Sequence, residues 1–86
     1  ARAQSSEHDT ELAGRLASLS PQQFRVLTLV AQGLLNKQIA DRLDVQERTV
    51  KAHLSAIFDR LGVRNRTQAG VVLRELELAD PARQIE

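Results

Sequence analysis

The 86 residues carry a net charge of +1, no cysteine and only two aromatics, Phe24 and Phe58, which describes one small domain. Without cysteine there are no disulfides and no thiolate metal sites. A chain this short buries only about 60% of its unfolded surface, so Leu, Val, Ile and Ala must fill an economical core.

No apolar run approaches the roughly 18 residues of a membrane span. There is no signal-peptide pattern, so the expected location is the cytoplasm. A chain that opens on Ala1 rather than Met is expected to be a piece of a longer protein.

In chain order, residues 1–8 show no apolar period and are expected to form a flexible linker. Residues 9–19 predict a short amphipathic helix, capped by Asp9, with Leu12, Leu16 and Leu19 at i, i+4, i+7. Gly14 within it costs roughly 1 kcal/mol relative to Ala, so this helix needs a neighbour. Ser20-Pro21 with Gln23 gives the clearest helix start in the chain: an N-cap, a proline at the first helical position and a capping box. Leu19 and Phe24 are spaced for a hydrophobic staple across that cap. The helix is predicted over 21–32, burying Phe24, Leu27, Val30 and Ala31, with Gly33 as its left-handed stop.

A short helix over 36–43 follows, burying Ile39, Ala40 and Leu43; Asp44 stands in a sharp turn, where Asp tolerates the left-handed conformation. Val45 is expected to tuck inward. The next helix spans 47–61 and ends at Gly62. Asn65 then caps a last helix over 66–76, with Gln68 three residues on. Ala69, Val72, Leu73 and Leu76 face the core, while Val71 and Leu78, beside Gly70, face outward as a candidate dimer seam. Scattered exposed apolar residues are also ordinary. Asp80-Pro81 ends the helix, leaving 80–86 as a C-terminal tail.

Two helical patterns flanking so short a break have the spacing of a helix-turn-helix, whose second helix can enter the DNA major groove. At about 100° per residue, Val50, Leu54, Ile57 and Leu61 share one side of the second helix. Arg48, Ala52, Ser55 and Asp59 share the other, with Lys51 at its margin. Small residues let a helix approach base edges closely, while flanking cations meet phosphates. A merely solvated helix face fits the pattern too; the preceding turn and short helix favour DNA. Charge agrees: residues 36–66 hold seven Lys/Arg against four acids, although the whole chain is only +1. No cofactor or metal is expected, since His8 and His53 form no ligand-spaced pair. Nor is an enzyme, since no activated nucleophile, carboxylate cluster or Gly-rich phosphate loop is present; Ser20 serves as a cap.

The residues from Leu19 to Leu73 resemble the LuxR-type helix-turn-helix, the output domain of FixJ/NarL-like response regulators. The matching pieces are Leu19-Ser20-Pro21, Val26-Leu27, Gly33, Asn36-Lys37-Gln38-Ile39-Ala40, Leu43, Thr49-Val50-Lys51, His53, Leu61-Gly62-Val63 and Arg64-Asn65-Arg66-Thr67-Gln68-Ala69. The resemblance implies an all-α fold, a four-helix domain over 20–79 preceded by the 9–19 linker helix. It implies binding to double-stranded promoter DNA, usually as a homodimer, with an N-terminal receiver domain and RNA polymerase as further partners.

By the same resemblance Lys51 approaches the major groove, and Ala52 and Ser55 occupy positions that set base preference. Lys37, Thr49, His53 and Arg66 match phosphate-facing positions, Arg64 beside them; Arg48 joins them from its place on the outer face. His53 remains open between phosphate contact and a half-buried histidine bonded to backbone. The chain departs from the family pattern at Gln22-Gln23-Phe24, at Leu35 and Gln46 (where Ser or Thr caps are usual) and at Asp59, which repels phosphate. Two readings compete: a sigma-factor region-four-like domain, and a purely protein-interacting helical module.

Overall fold

A computed structural model describes the backbone of residues 2–79 and the side-chain surroundings of 10–76. The side chain of Leu78 and the predicted tail 80–86 lie outside the described residues. Among the described residues the regular structure is helical: α1 (Arg2–Ala17), α2 (Pro21–Ala31), α3 (Asn36–Leu43), α4 (Glu47–Leu61) and α5 (Arg66–Ala79).

α1 begins at Arg2, not at Asp9, so the segment expected to be a flexible linker is helical and Asp9 lies inside the helix instead of capping it. The physical reason is local. Residues 2–8 contain no Gly or Pro, and Arg2, Ala3, Gln4 and Glu7 are good helix formers. Lack of an apolar period says that a segment has nothing to bury; it does not stop a neighbouring helix from running into it. Further on, Leu12, Leu16 and Leu19 are buried, as their spacing predicts.

At the start of α2, Ser20 Oγ accepts from the Gln23 N–H at 3.1 Å, and Gln23 Oε1 accepts from the Ser20 N–H at 2.9 Å. The box is complete, yet Phe24 remains 42% exposed and is not buried as its place in the expected set required. At about 100° per residue the buried arc of α2 centres on Val26, Leu29, Val30 and Leu27, and Phe24 points away from it. Leu29, absent from the expected set, takes the inward place, while Ala31 is half-buried against the core.

Three helices close with the same backbone device, in which an N–H beyond the helix returns to a carbonyl five residues earlier. The bonds are Leu34 N–H to Leu29 C=O (3.2 Å), Val45 N–H to Ala40 C=O (3.0 Å) and Val63 N–H to Phe58 C=O (3.0 Å). Each requires a left-handed residue, supplied by Gly33 (φ 90°), Asp44 (φ 57°) and Gly62 (φ 70°). Asp44 thus makes the tight turn between α3 and α4, and Val45 packs inward behind it.

The core lies where α2, α4 and α5 meet, with α3 crossing α4 and α1 resting on α4 and α5. Val26, Leu27, Ile39, Val50, Ile57 and Leu61 are its largest fully buried side chains. Ala69 and Leu73 bring α5 onto this core, with Leu76 half-buried at its edge. Among the described residues no polar side chain is buried. The polar chemistry therefore sits on the surface, where the helix faces decide what it can meet.

Candidate nucleic-acid interface

α4 divides its two faces cleanly. Val50 and Ile57 are 0% exposed, Leu61 2% and Leu54 6%, whereas Arg48, Lys51, Ala52, Ser55 and Asp59 are all exposed. Thr49 and His53 are half-buried at the boundary. The outer face therefore presents, in order along the helix, two long cations, two small side chains and an acid.

The cations on this face are unengaged. Among the described residues, the side chains of Arg48 and Lys51 have no hydrogen-bond or ion-pair partner; the same holds for Lys37, exposed in the first turn of α3, and for Arg64. Among the described residues an ion pair forms elsewhere, between Arg15 and Glu11 on α1. The His53 imidazole has no hydrogen bond among the described residues, so the backbone-bonded alternative for it finds no partner here.

Arg66 behaves differently from the expectation of a free phosphate-facing cation. It is half-buried, and its Nη1 donates to Asn36 Oδ1 and its Nη2 to the Leu34 carbonyl, each at 2.5 Å. An arginine fork suits two acceptors in one plane, and here they flank the start of α3. Arg66 thereby fixes the turn that presents Lys37. Sequence reasoning also gave Asn36 no role; the partners are 30 and 32 residues apart, and no local spacing signals them.

The helix starts around the site are unequal. Leu35 lacks a side-chain acceptor, but Gln38 Oε1 reaches back to its N–H at 2.7 Å, so half of a capping box holds α3. Asn65 Oδ1 accepts from the Gln68 N–H at 2.9 Å, while Gln68 Oε1 takes the Arg64 N–H at 2.8 Å. Gln46, at the start of α4, makes no side-chain cap bond.

The candidate seam on α5 divides in the same way. Val71 is 49% exposed, but Gly70 is half-buried and faces α2, where an added Cβ would lie 3.6 Å from the Ala31 Cα. Gly70 thus belongs to the α2–α5 contact and not to an open outward face. Among the described residues no group of three or more His, Cys, Asp or Glu is placed to hold a metal ion, and no helix is long and apolar enough to cross a membrane.

With this geometry in view, residues 17–73 match the family model described as bacterial regulatory proteins, luxR family. The chain belongs to that family. It is 44% identical over 66 residues to the DNA-binding transcriptional activator DevR/DosR of Mycobacterium tuberculosis, covering 77% of this chain and 30% of that protein. To the nitrate/nitrite response regulator protein NarL of Escherichia coli K12 it is 43% identical over 53 residues, covering 62% of this chain and 24% of that protein.

A solved structure of the response regulator StyR superposes with a TM-score of 0.80 at 35% identity, over 86% of this chain and 37% of that one. The chain thus spans about a quarter to a third of the curated relatives it matches. Relatives named as transcriptional regulators favour a DNA-binding regulator over the sigma-like and interaction-only alternatives.

Proposed function

We propose that this luxR-family domain is the promoter-binding output domain of a response regulator and seats α4 in the major groove of duplex DNA. The observation that carries the reading is the outer face of α4: Ala52 and Ser55, small and exposed, following Arg48 and Lys51, which the fold leaves without partners. Lys51 reaches toward base edges. Ala52 and Ser55 sit closest to the bases and tune preference. Arg48, Thr49 and His53 line the phosphate side, with Lys37 and Arg64 on the neighbouring backbone. Asp59 confines the contact to the N-terminal half of the helix.

In this reading the DNA-binding domain is 20–79, residues 9–19 belong to a linker helix, and a receiver domain precedes them in the whole protein. The domain works in the cytoplasm as a homodimer on DNA, with RNA polymerase as a further partner. The exposed Val71 supports a seam on α5, with Leu78 one helical pattern further along.

Selection from random duplex DNA tests the function directly. Enrichment of a defined half-site, with log K falling linearly in log salt, is the expected result. Recovery of no sequence above background would overturn it.

A further inference from the structure

We propose that Arg15 and Arg60 are positioning residues for the recognition helix, so that α1 sets the pose of α4 as well as leading into it. Arg15 Nη1 donates to the Leu61 carbonyl at 3.1 Å, while its Nη2 is held by Glu11 Oε1 at 2.7 Å. In return, Arg60 Nη1 donates to the Ser18 carbonyl, just past the end of α1, at 3.3 Å. Each arginine closes the C-terminal end of the other's helix. Those carbonyls have no intrahelical partner, and a cation there also complements the helix dipole.

Gly62 keeps the space. A Cβ at Gly62 would lie 2.5 Å from Arg15 Nη1, so the left-handed stop of α4 and the guanidinium occupy adjoining positions. Beneath the two bonds, Leu16 joins the core cluster that contains Leu61. Arg15 lies just before the 17–73 match, and Ser18, Arg60, Leu61 and Gly62 lie within it.

The consequence follows from rigidity. A helix held at its C-terminal end by a neighbour moves with that neighbour, and the outward residues of α4 move too. α1 therefore couples whatever precedes it to the face that reads DNA. This inference rests on α4 being the DNA-reading helix.

The test uses the 86-residue chain and a duplex recovered by the selection above. Removing either arginine, as Arg15→Ala or Arg60→Ala, is expected to weaken duplex binding about fivefold, the scale of one net hydrogen bond, at temperatures where helical circular dichroism is unchanged. Arg15→Lys keeps a charged donor for the Leu61 carbonyl and should recover most of the loss.

Coupling is reciprocal, so the duplex should slow amide exchange in residues 12–19 of the unaltered chain. In Arg15→Ala/Arg60→Ala, α1 should open faster and the duplex should cease to slow it. Folded variants that bind with undiminished affinity, or a duplex that slows α1 exchange equally without the clamp, would overturn the proposal while leaving DNA binding intact. A chain that binds no duplex at all sinks the proposed function instead.

Discussion

The two ends of α4 are built on opposite terms. Its C-terminal end is satisfied several times over: Gly62 turns left-handed, the Val63 N–H returns to Phe58, and Arg15 takes the Leu61 carbonyl. Its N-terminal end has no side-chain cap at Gln46, and Arg48 and Lys51 beside it have no partners in the fold. Both ends rest on the same buried stripe, so hydrophobic packing does not separate them. What differs is where the polar groups are satisfied: at one end inside the chain, at the other by solvent or by a partner. A helix held in this way has a fixed base and an open working end.

The largest expected effect comes from removing the stripe that both ends share. Ile57 is 0% exposed, and Ile57→Ala should destabilise the domain by about 2–5 kcal/mol, the range for buried aliphatic truncations. Chemical denaturation reads it. DNA affinity should fall only as far as the unfolded fraction rises, since Ile57 faces away from the outer side of α4. A loss of less than about 1 kcal/mol would mean that the centre of α4 is not the core described.

Next comes the open end. Lys51→Ala should weaken binding to a selected duplex about tenfold or more, the order of one good base contact. Its melting temperature should hold, because the ammonium group has no hydrogen-bond or ion-pair partner among the described residues. Substitutions at Ala52 or Ser55 should instead change which sequences are preferred, with little change in salt slope. Undiminished affinity in Lys51→Ala would show that the open end is not the docking end.

The contrast between the ends also explains what could be read from sequence. The spans of α3 and α4 were legible because an apolar stripe of helical period is bounded by residues that stop a helix, Asp44 and Gly62. The outward set of α4 was legible for the same reason: facing is a property of spacing within one helix. Arg66 was not, because its partners are supplied by the α2–α3 turn, and a long cation at a surface position reads alike whether it reaches out or back. Arg15 was hidden by a separation of 46 residues from Leu61. The burial expected of Phe24 fails for a subtler reason: its place beside the cap suggests an inward side chain, but the four inward aliphatics of α2 set the rotation of that helix. Local motifs compete with the summed burial of a whole face, and here the face wins.

The smallest predicted effect tests whether the open end is unsatisfied as well as exposed. Gln46 already has N-cap backbone angles (φ −79°, ψ 151°), and its carbonyl accepts from the Thr49 N–H at 3.0 Å, but its side chain is too long to fold back as a cap. Gln46→Ser places a hydroxyl where it can accept from the second or third helical N–H, which is worth about 1 kcal/mol. For a domain of this size that corresponds to a rise of about 4–8 °C in Tm. Serine adds no charge, so it does not repel phosphate as Gln46→Asp would. The affinity for a selected duplex should not rise with the melting temperature, since the hydroxyl competes for the same N–H groups that a phosphate can use. A rise in Tm alone marks an end left open at some cost in stability. No rise would mean that the first turn of α4 is already satisfied, and the asymmetry between the two ends would then be one of exposure only.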